Sequence, residues 1–387
     1  MLFEAFTLNA SDIHVEPYEE GGIIRYRVDG ILRVITKLPR VVLQPIIQRL
    51  KAISGLNLAN HLIPQDGSVS LVVSDTPVDL RISTIPVAGG EKAVIRLLVQ
   101  SSVGSINDLG LPQKQLQQLK NILSHQSGVL VITGPTGSGK STTLYSALKS
   151  LNTPERCLVT VEDPVEYKID GIAQISVNTA QNITFNSALR HILRQDPDII
   201  LVGEVRDEVT AETSFRAAIT GHFVMTTLHT NDAITTIPRL VGLGVSETII
   251  ADSLRGLIAQ RLVRKLCTSC ASPETSDNDL LSQRFLSIFP DAHIKSPRGC
   301  SACDNIGYKG RIPILEIIEV DHQLADAIRA RADTGLLRDA ALKAGNKSMS
   351  MIAVDMIKNG KTSAEEIHRA LGEQFWTDIN ADQAAPI

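Results

Sequence analysis

No apolar stretch in this 387-residue chain approaches the roughly 18 residues that cross a bilayer. The start, Met1-Leu-Phe-Glu-Ala-Phe6, lacks the basic segment and the small-residue cleavage site of a secretory leader. Together these absences predict a soluble cytosolic protein that reaches a membrane only through a partner. Basic charge is not in excess either. Lys and Arg number 38 against 42 Asp and Glu, a net charge of −4, so bulk electrostatics gives a general nucleic-acid role no support. There is no internal repeat and no low-complexity tract. What remains, 43% apolar and 21% charged residues, is a globular composition. The length allows two or three domains, each able to bury a core.

The most informative segment is Gly134-Pro-Thr-Gly-Ser-Gly-Lys-Ser141, which fits G-x-x-x-x-G-K-[ST]. It follows an apolar, β-branched run, Gly128–Thr133, that reads as a buried strand, and it precedes a helix over Ser141–Leu151. Glycines let such a loop wrap phosphate with its N–H groups inward and a helix N-terminus behind. Residues Gly134, Pro135, Thr136, Gly137, Ser138, Gly139, Lys140, Ser141 and Thr142 are therefore expected to hold ATP. Lys140 would reach the β- and γ-phosphates, and the Ser141 hydroxyl would hold Mg²⁺.

Cysteines are few, and four of the five fall in two C-x-x-C pairs, Cys267/Cys270 and Cys300/Cys303. In a reducing cytosol disulfides are a poor reading. Two such knuckles suit one tetrahedral Zn²⁺, with an inserted subdomain folded between them. The fifth, Cys157, opens the apolar run Cys157–Val161 and reads as a buried core thiol.

Patterning divides the chain into an α+β domain over 1–100, a hinge over 101–108, an α/β ATPase core over 109–266, a zinc-binding tetracysteine subdomain over 267–310, and a helical part over 311–387. In the first domain Ile23–Val28, Asp29-Gly30 and Ile31–Ile35 predict a hairpin, and Pro39–Ala52 a helix. Small residues Ser101–Ser105 mark the hinge. In the core, helices are expected at 112–123, 184–195 and 207–219, strands at 157–161, 198–202 and 223–228, and a long helix over Ser246–Leu266.

Three clusters at strand ends add chemistry. Ile199–Val202 runs into Gly203-Glu204, an apolar strand delivering a carboxylate toward the γ-phosphate and Mg²⁺. Thr160-Val-Glu-Asp-Pro-Val-Glu166 gathers Glu162, Asp163 and Glu166, which is costly unless a cation such as Mg²⁺ sits among them. Thr226-Thr-Leu-His-Thr-Asn231 places His229 at a third strand end, with His222 opening the same strand.

The four clusters in this order resemble the secretion ATPase superfamily, the motors of type II secretion and type IV pili. Glu162–Glu166 is similar to its Asp box, Gly203-Glu204 to its Walker B and His222–Asn231 to its His box. Ala10-Ser-Asp-Ile-His-Val-Glu-Pro17 and Arg25-Tyr-Arg-Val-Asp-Gly30 resemble signatures before the motor core. Ala259–Cys267 with the tetracysteine resembles the assembly and secretion branch (GspE/PilB-like). The resemblance implies a RecA-like motor domain after a PAS-like domain, and a homo-hexamer with ATP between the two. It implies that Arg25, Arg27, Arg81 and Arg96 close over the phosphates, and that His229 senses the γ-phosphate. It further implies recruitment to the inner membrane by platform and assembly proteins, with no direct nucleic acid. Competing readings are a conjugation-type DNA-transfer ATPase and a non-hydrolysing, nucleotide-gated scaffold. Ser68 stands where many relatives carry Arg, and Asn346-Lys-Ser-Met-Ser350 departs from the usual glycine-methionine pattern. The chain begins almost at the Ser-Asp-Ile-His motif, without the N-terminal docking domain of longer relatives, which reads as either a truncated chain or a short-form system.

Overall fold

The computed structural model describes residues 1–18, 21–99, 103–274 and 279–384. Ser101 and Ser102 of the expected hinge lie outside these residues. Contacts divide the chain into two compact units, Met1–Ser102 and Val103–Ile387.

Among the described residues the first unit comprises α1 (Leu2–Thr7), β1 (Ala10–Tyr18), β2 (Gly21–Val28), β3 (Ile31–Pro39), α2 (Arg40–Ile53), β4 (Gln65–Val73), β5 (Thr76–Val87) and β6 (Gly90–Val99). The strands form one antiparallel sheet in the order β3-β2-β1-β6-β5-β4. The hairpin at Asp29-Gly30 is present, both residues having positive φ (50° and 83°), which a tight two-residue turn needs and glycine supplies without strain. Alternation puts Ile24, Tyr26, Ile13, Val15, Leu80, Ile82 and Ile95 on the face that packs against Leu43, Ile47 and Leu50 of α2. The intervening Arg25 and Arg27 fall on the other face. Lys51, wholly buried, is matched by Glu91 at 2.6 Å, as a charge removed from water requires.

The second unit is built on a mixed sheet. Its elements in order are α3 (Gln113–Leu123), β7 (Gly128–Thr133), α4 (Lys140–Leu151), β8 (Leu158–Glu162), β9 (Ala173–Ser176), α5 (Phe185–Ile192), β10 (Ile199–Val202), α6 (Glu208–Ile219), β11 (Phe223–Leu228), α7 (Thr236–Gly242), α8 (Glu247–Ser253) and β12 (Leu254–Leu266). There follow β13 (Ser272–Pro273), α9 (Leu280–Ile288), β14 (Lys295–Ser296), β15 (Tyr308–Glu319) and helices α10 (His322–Arg329), α11 (Thr334–Lys343), α12 (Met349–Lys358), α13 (Ala364–Leu371) and α14 (Glu373–Ala384). The sheet order is β15-β12-β7-β11-β10-β8-β9, with β15 antiparallel and the rest parallel. Both faces are covered, so β7 is buried throughout: Val129 and Val131 enter one core and Leu130 and Ile132 the other. Helix starts are set by side-chain caps, Thr184 for α5 and Asp207 for α6.

Three expectations from the sequence are corrected. The helix over Ser246–Leu266 ends at Ser253, and Leu254–Leu266 is strand β12. Its Leu, Ala, Gln, Arg and Lys favour helix, but a slot between β7 and β15 satisfies both backbone edges and overrides propensity. Residues 311–319, expected in the helical part, belong to β15, and helix begins only at His322. Cys157 is exposed, because the strand it was expected to open starts one residue later, at Leu158.

Candidate functional site

The carboxyl ends of β7, β11, β10 and β8 bring Thr133, Leu228, Val202 and Glu162 to one edge of the sheet, where an open α/β sheet binds its ligand. From Thr133 the chain enters the P-loop. Gly134, Gly137 and Gly139 have φ of 147°, 78° and 88°. A Cβ at Gly134 would lie 2.5 Å from the Gln260 carbonyl, so that glycine is required by closeness to backbone as well as by its angle; Gly139 is required by its angle, and a Cβ there would lie 2.7 Å from Gln260 Nε2. Pro135, Thr136, Gly137 and Thr142 are exposed, Ser141 is half-buried, and Ser138 is buried with an unpartnered hydroxyl. Lys140 Nζ donates to the loop's own carbonyls, Gly134 O at 2.6 Å and Pro135 O at 3.2 Å. Burial pushes the Lys140 ammonium below its ordinary range while the charge of Glu204 pulls it back up.

Glu204 leaves β10 two residues after Val202, with its side chain 17% exposed. Arg206 pairs with one of its oxygens, and His229 Nε2 lies 3.6 Å from the other. The turn carrying Glu204 is stapled to β11: Thr227 Oγ1 donates to Gly203 O at 2.7 Å and Val205 N to Thr227 O at 3.1 Å. Glu204 and His229 are therefore neighbours. His222 sits at the opposite end of β11, its ring against Ala217 O, away from this edge.

At the end of β8 the three carboxylates separate. Glu162 is buried, 6% exposed, and accepts from Tyr145, from Thr160 Oγ1 at 2.5 Å and from Gln174 Nε2 at 3.4 Å. Asp163 and Glu166 are exposed.

Two contributors were not legible in the sequence. Gln260 on β12 is buried, accepts from Thr143 of the P-loop helix at 2.8 Å and backs two P-loop glycines. A glutamine directly after the apolar run Leu257-Ile258-Ala259 was the available signal. Glu316 on β15 is buried and accepts from Ala233 N at 3.0 Å, just beyond the His-box residues. That same loop is gripped by Arg338 of α11 on Asp232 at 3.1 Å and by Arg261 of β12 on Asn231 O at 2.9 Å.

Burial raises the Glu316 carboxyl to about 7, and Asp232 pushes the same way, against the Ala233 N–H and Arg338. An acid raised on folding contributes stability present below the unfolded value and lost as pH climbs through the folded one. The stability of the wild type relative to Glu316→Gln is accordingly expected to fall by on the order of 2 kcal/mol between about pH 5 and about pH 8. Urea unfolding of both at each pH measures it, and a constant difference would refute the assignment.

In the first unit the sheet register aligns Ser68, Arg81, Arg96, Asp12 and Arg27 as successive cross-strand neighbours. Asp12 holds Arg96 at 3.0 Å and Arg27 at 3.6 Å; Glu16 holds Arg25 at 2.5 Å and Lys92 at 2.8 Å. Arg81 has no ion pair among the described residues and, with Arg96, Asp12, Asp66 and Ser68, lines a cavity of about 470 Å³. The four expected arginines thus share one sheet face, and three of them are carried by two buried carboxylates.

Beyond β12, the Sγ atoms of Cys267, Cys270, Cys300 and Cys303 all lie within 4.8 Å of one another. Cys267–Cys300, Cys270–Cys303 and Cys300–Cys303 are 3.9, 3.8 and 3.8 Å apart. Four sulfurs at about 2.3 Å from one tetrahedral ion are about 3.8 Å apart, so the set fits one metal ion. Backbone N–H groups of Gly299, Cys300 and Gly307 point at Cys270 and Cys303 sulfurs at 3.2–3.3 Å, which favours thiolates. The insert between the knuckles holds β13 paired with β14, and α9.

A P-loop at the carboxyl edge of a mixed sheet, with an acid and a histidine beside it, defines a P-loop nucleotide hydrolase. The model of the type II/IV secretion system protein family matches residues 1–369, and the chain belongs to that family. It is 41% identical over 375 residues to the type II secretion system protein E of Pectobacterium carotovorum subsp. carotovorum, covering 97% of this chain and 75% of that one. To the type II secretion system ATPase E of Vibrio cholerae it is 40% identical, with 96% and 74% covered. The type IV pilus assembly ATPase PilB of Thermus thermophilus is 43% identical over 94% of this chain and 41% of its own. The solved pilus retraction motor PilT with bound ADP superposes with a TM-score of 0.63 at 28% identity, over 95% of both chains. The Legionella pneumophila ATPase DotB shares the fold, with a TM-score of 0.71, 23% identity, and 98% and 94% covered. The protein is an ATPase. Among the described residues no helix is long and apolar enough to cross a membrane.

Proposed function

We infer that this chain is a cytosolic, hexameric Mg²⁺-ATPase motor that hydrolyses ATP to ADP and phosphate to drive pseudopilus assembly in type II secretion, or type IV pilus assembly. The observation that carries the reading is the convergence of Lys140, Glu204 and His229 on the P-loop edge. ATP lies on Gly134–Thr142, Lys140 leaving its loop carbonyls for the β- and γ-phosphates. Ser141 holds Mg²⁺, which supplies charge neutralisation at the transferring phosphoryl group. Glu204 orients the attacking water, Asp163 and Glu166 face the metal end, and His229 registers the γ-phosphate through Glu204. The core is read as RecA-like and the first unit as PAS-like. Arg25, Arg27, Arg81 and Arg96 supply guanidinium to the phosphates as the ring closes, and the cysteines hold a structural Zn²⁺. Inner-membrane platform and assembly proteins recruit the ring. The names of the secretion and pilus relatives support this reading.

Phosphate release with Mg²⁺–ATP, followed over a range of protein concentrations, tests it. Activity per chain is expected to rise with concentration and to ignore single-stranded DNA. A requirement for DNA would replace the reading with a DNA-transfer motor. Tight ATP binding without release, with or without acidic vesicles, would replace it with a nucleotide-gated scaffold.

A further inference from the structure

Tyr145 is a titratable group that the mechanism above does not use. It lies five residues beyond Lys140 on α4, the helix that begins at the P-loop, and only 1% of it is exposed. Its hydroxyl donates to Glu162 and accepts from the backbone N–H of Glu166 at 3.2 Å. Its ring stands edge-on to Tyr167, with centroids 5.6 Å apart and planes at 84°. One phenol thus touches the end of β8, the exposed acid at the far side of the turn and the residue after it.

Gln174 of β9 completes the arrangement. Its amide donates to Glu162 and to Tyr167 O at 2.9 Å, and its carbonyl accepts from Ile169 N at 2.7 Å. Every contact of Glu162 is inward. Burial together with Glu162 pushes the Tyr145 phenol far above its ordinary range, so the hydroxyl stays a donor. Three donors on the roughly four lone-pair sites of this buried carboxylate leave little of it for a cation.

We propose that Tyr145 and Glu162 are positioning residues: a strut from the P-loop helix that sets the turn presenting Asp163 and Glu166 to the phosphate end of the nucleotide. The proposal rests on the ATPase reading and deepens it. Glu162 then acts through Tyr145 and not on substrate, whereas Glu166 is the acid that meets the nucleotide. Because α4 starts at Lys140, any shift of the loop on phosphate binding carries the hydroxyl with it and moves the acidic turn in the same stroke.

The test is Tyr145→Phe, which keeps the ring contact and removes only the hydroxyl. The expected result is a fall in kcat of about tenfold or more, with KM for ATP changed less than about threefold and the thermal midpoint held. Hydrogen exchange over residues 163–169 should quicken about tenfold while α4 stays protected. Glu162→Gln, which retains an acceptor for the phenol, should keep more activity than Glu166→Gln. Unchanged kcat and unchanged exchange would overturn the proposal. So would Glu162→Gln as inactive as Glu166→Gln, which would make Glu162 catalytic. If kcat, KM and the midpoint all moved together, the tyrosine would be merely structural. A wild type without turnover would fail the ATPase reading instead, and the exchange rates alone would then decide the strut.

Discussion

Glu204→Gln is expected to reduce ATP turnover at least about a hundredfold while nucleotide affinity stays within a few-fold. The separation follows from geometry. Affinity resides in the P-loop, whose glycines and Lys140 are supported by Gln260 and by Gly134 and Pro135 carbonyls, none of which touches Glu204. Glutamine keeps one oxygen for Arg206 and places its NH2 toward His229 Nε2, and the Thr227 staple, made to the Gly203 carbonyl, does not depend on the side chain. What disappears is the negative charge to which the proposed function assigns the polarising of water. Single-turnover phosphate release, set beside fluorescent-nucleotide titration, measures the two quantities separately. Turnover within threefold of wild type would remove Glu204 from the chemistry. Equal losses of binding and turnover would instead mean that the charge supports the loop, through its pull on Lys140.

The second large effect concerns the tetracysteine cluster. Elemental analysis is expected to find about one zinc per chain, and Cys303→Ser to lose most of it. Cys303 is buried and its sulfur accepts from two backbone N–H groups, so serine there leaves both donors with a shorter, misplaced acceptor. Loss of a structural ion costs several kcal/mol, which in a unit of this size lowers the thermal midpoint by about 5–10 °C. Cys157→Ser is the control: that thiol is exposed and remote from the four, and the same change should move neither metal nor midpoint. Fully folded, metal-free protein with an unchanged midpoint would refute the assignment.

Legibility in the sequence followed the range of the interactions. The P-loop was readable because its glycines and lysine answer a local demand for positive φ and close approach. The hairpin at Asp29-Gly30 and the helix starts near 184 and 207 were readable for the same reason: each is satisfied within a few residues, the helices by the caps Thr184 and Asp207 that the structure shows. Strand β12 was misread because its residues favour helix and its partners are β7, more than a hundred residues earlier, and β15, some fifty later. The roles of Gln260, Glu316 and Tyr145 were not readable because each gains its role from a side chain or loop brought in by the sheet order. The arginine row lies between: the residues were picked out through the family resemblance, but only the register shows that Asp12 and Glu16 of the same motif carry three of them.

Strand β12 also joins things that are usually discussed apart. Gln260 touches the nucleotide loop, Arg264 is locked to buried Glu366 of α13, and Cys267 opens the metal knuckle just past the strand's end. An extended strand advances about 3.3 Å per residue and scarcely stretches, so these points are stations on a spar about 23 Å long between Gln260 and Cys267. The P-loop contact and the first of the four cysteines are thus tied to the two ends of one continuous element, so a displacement of either is met by the same strand.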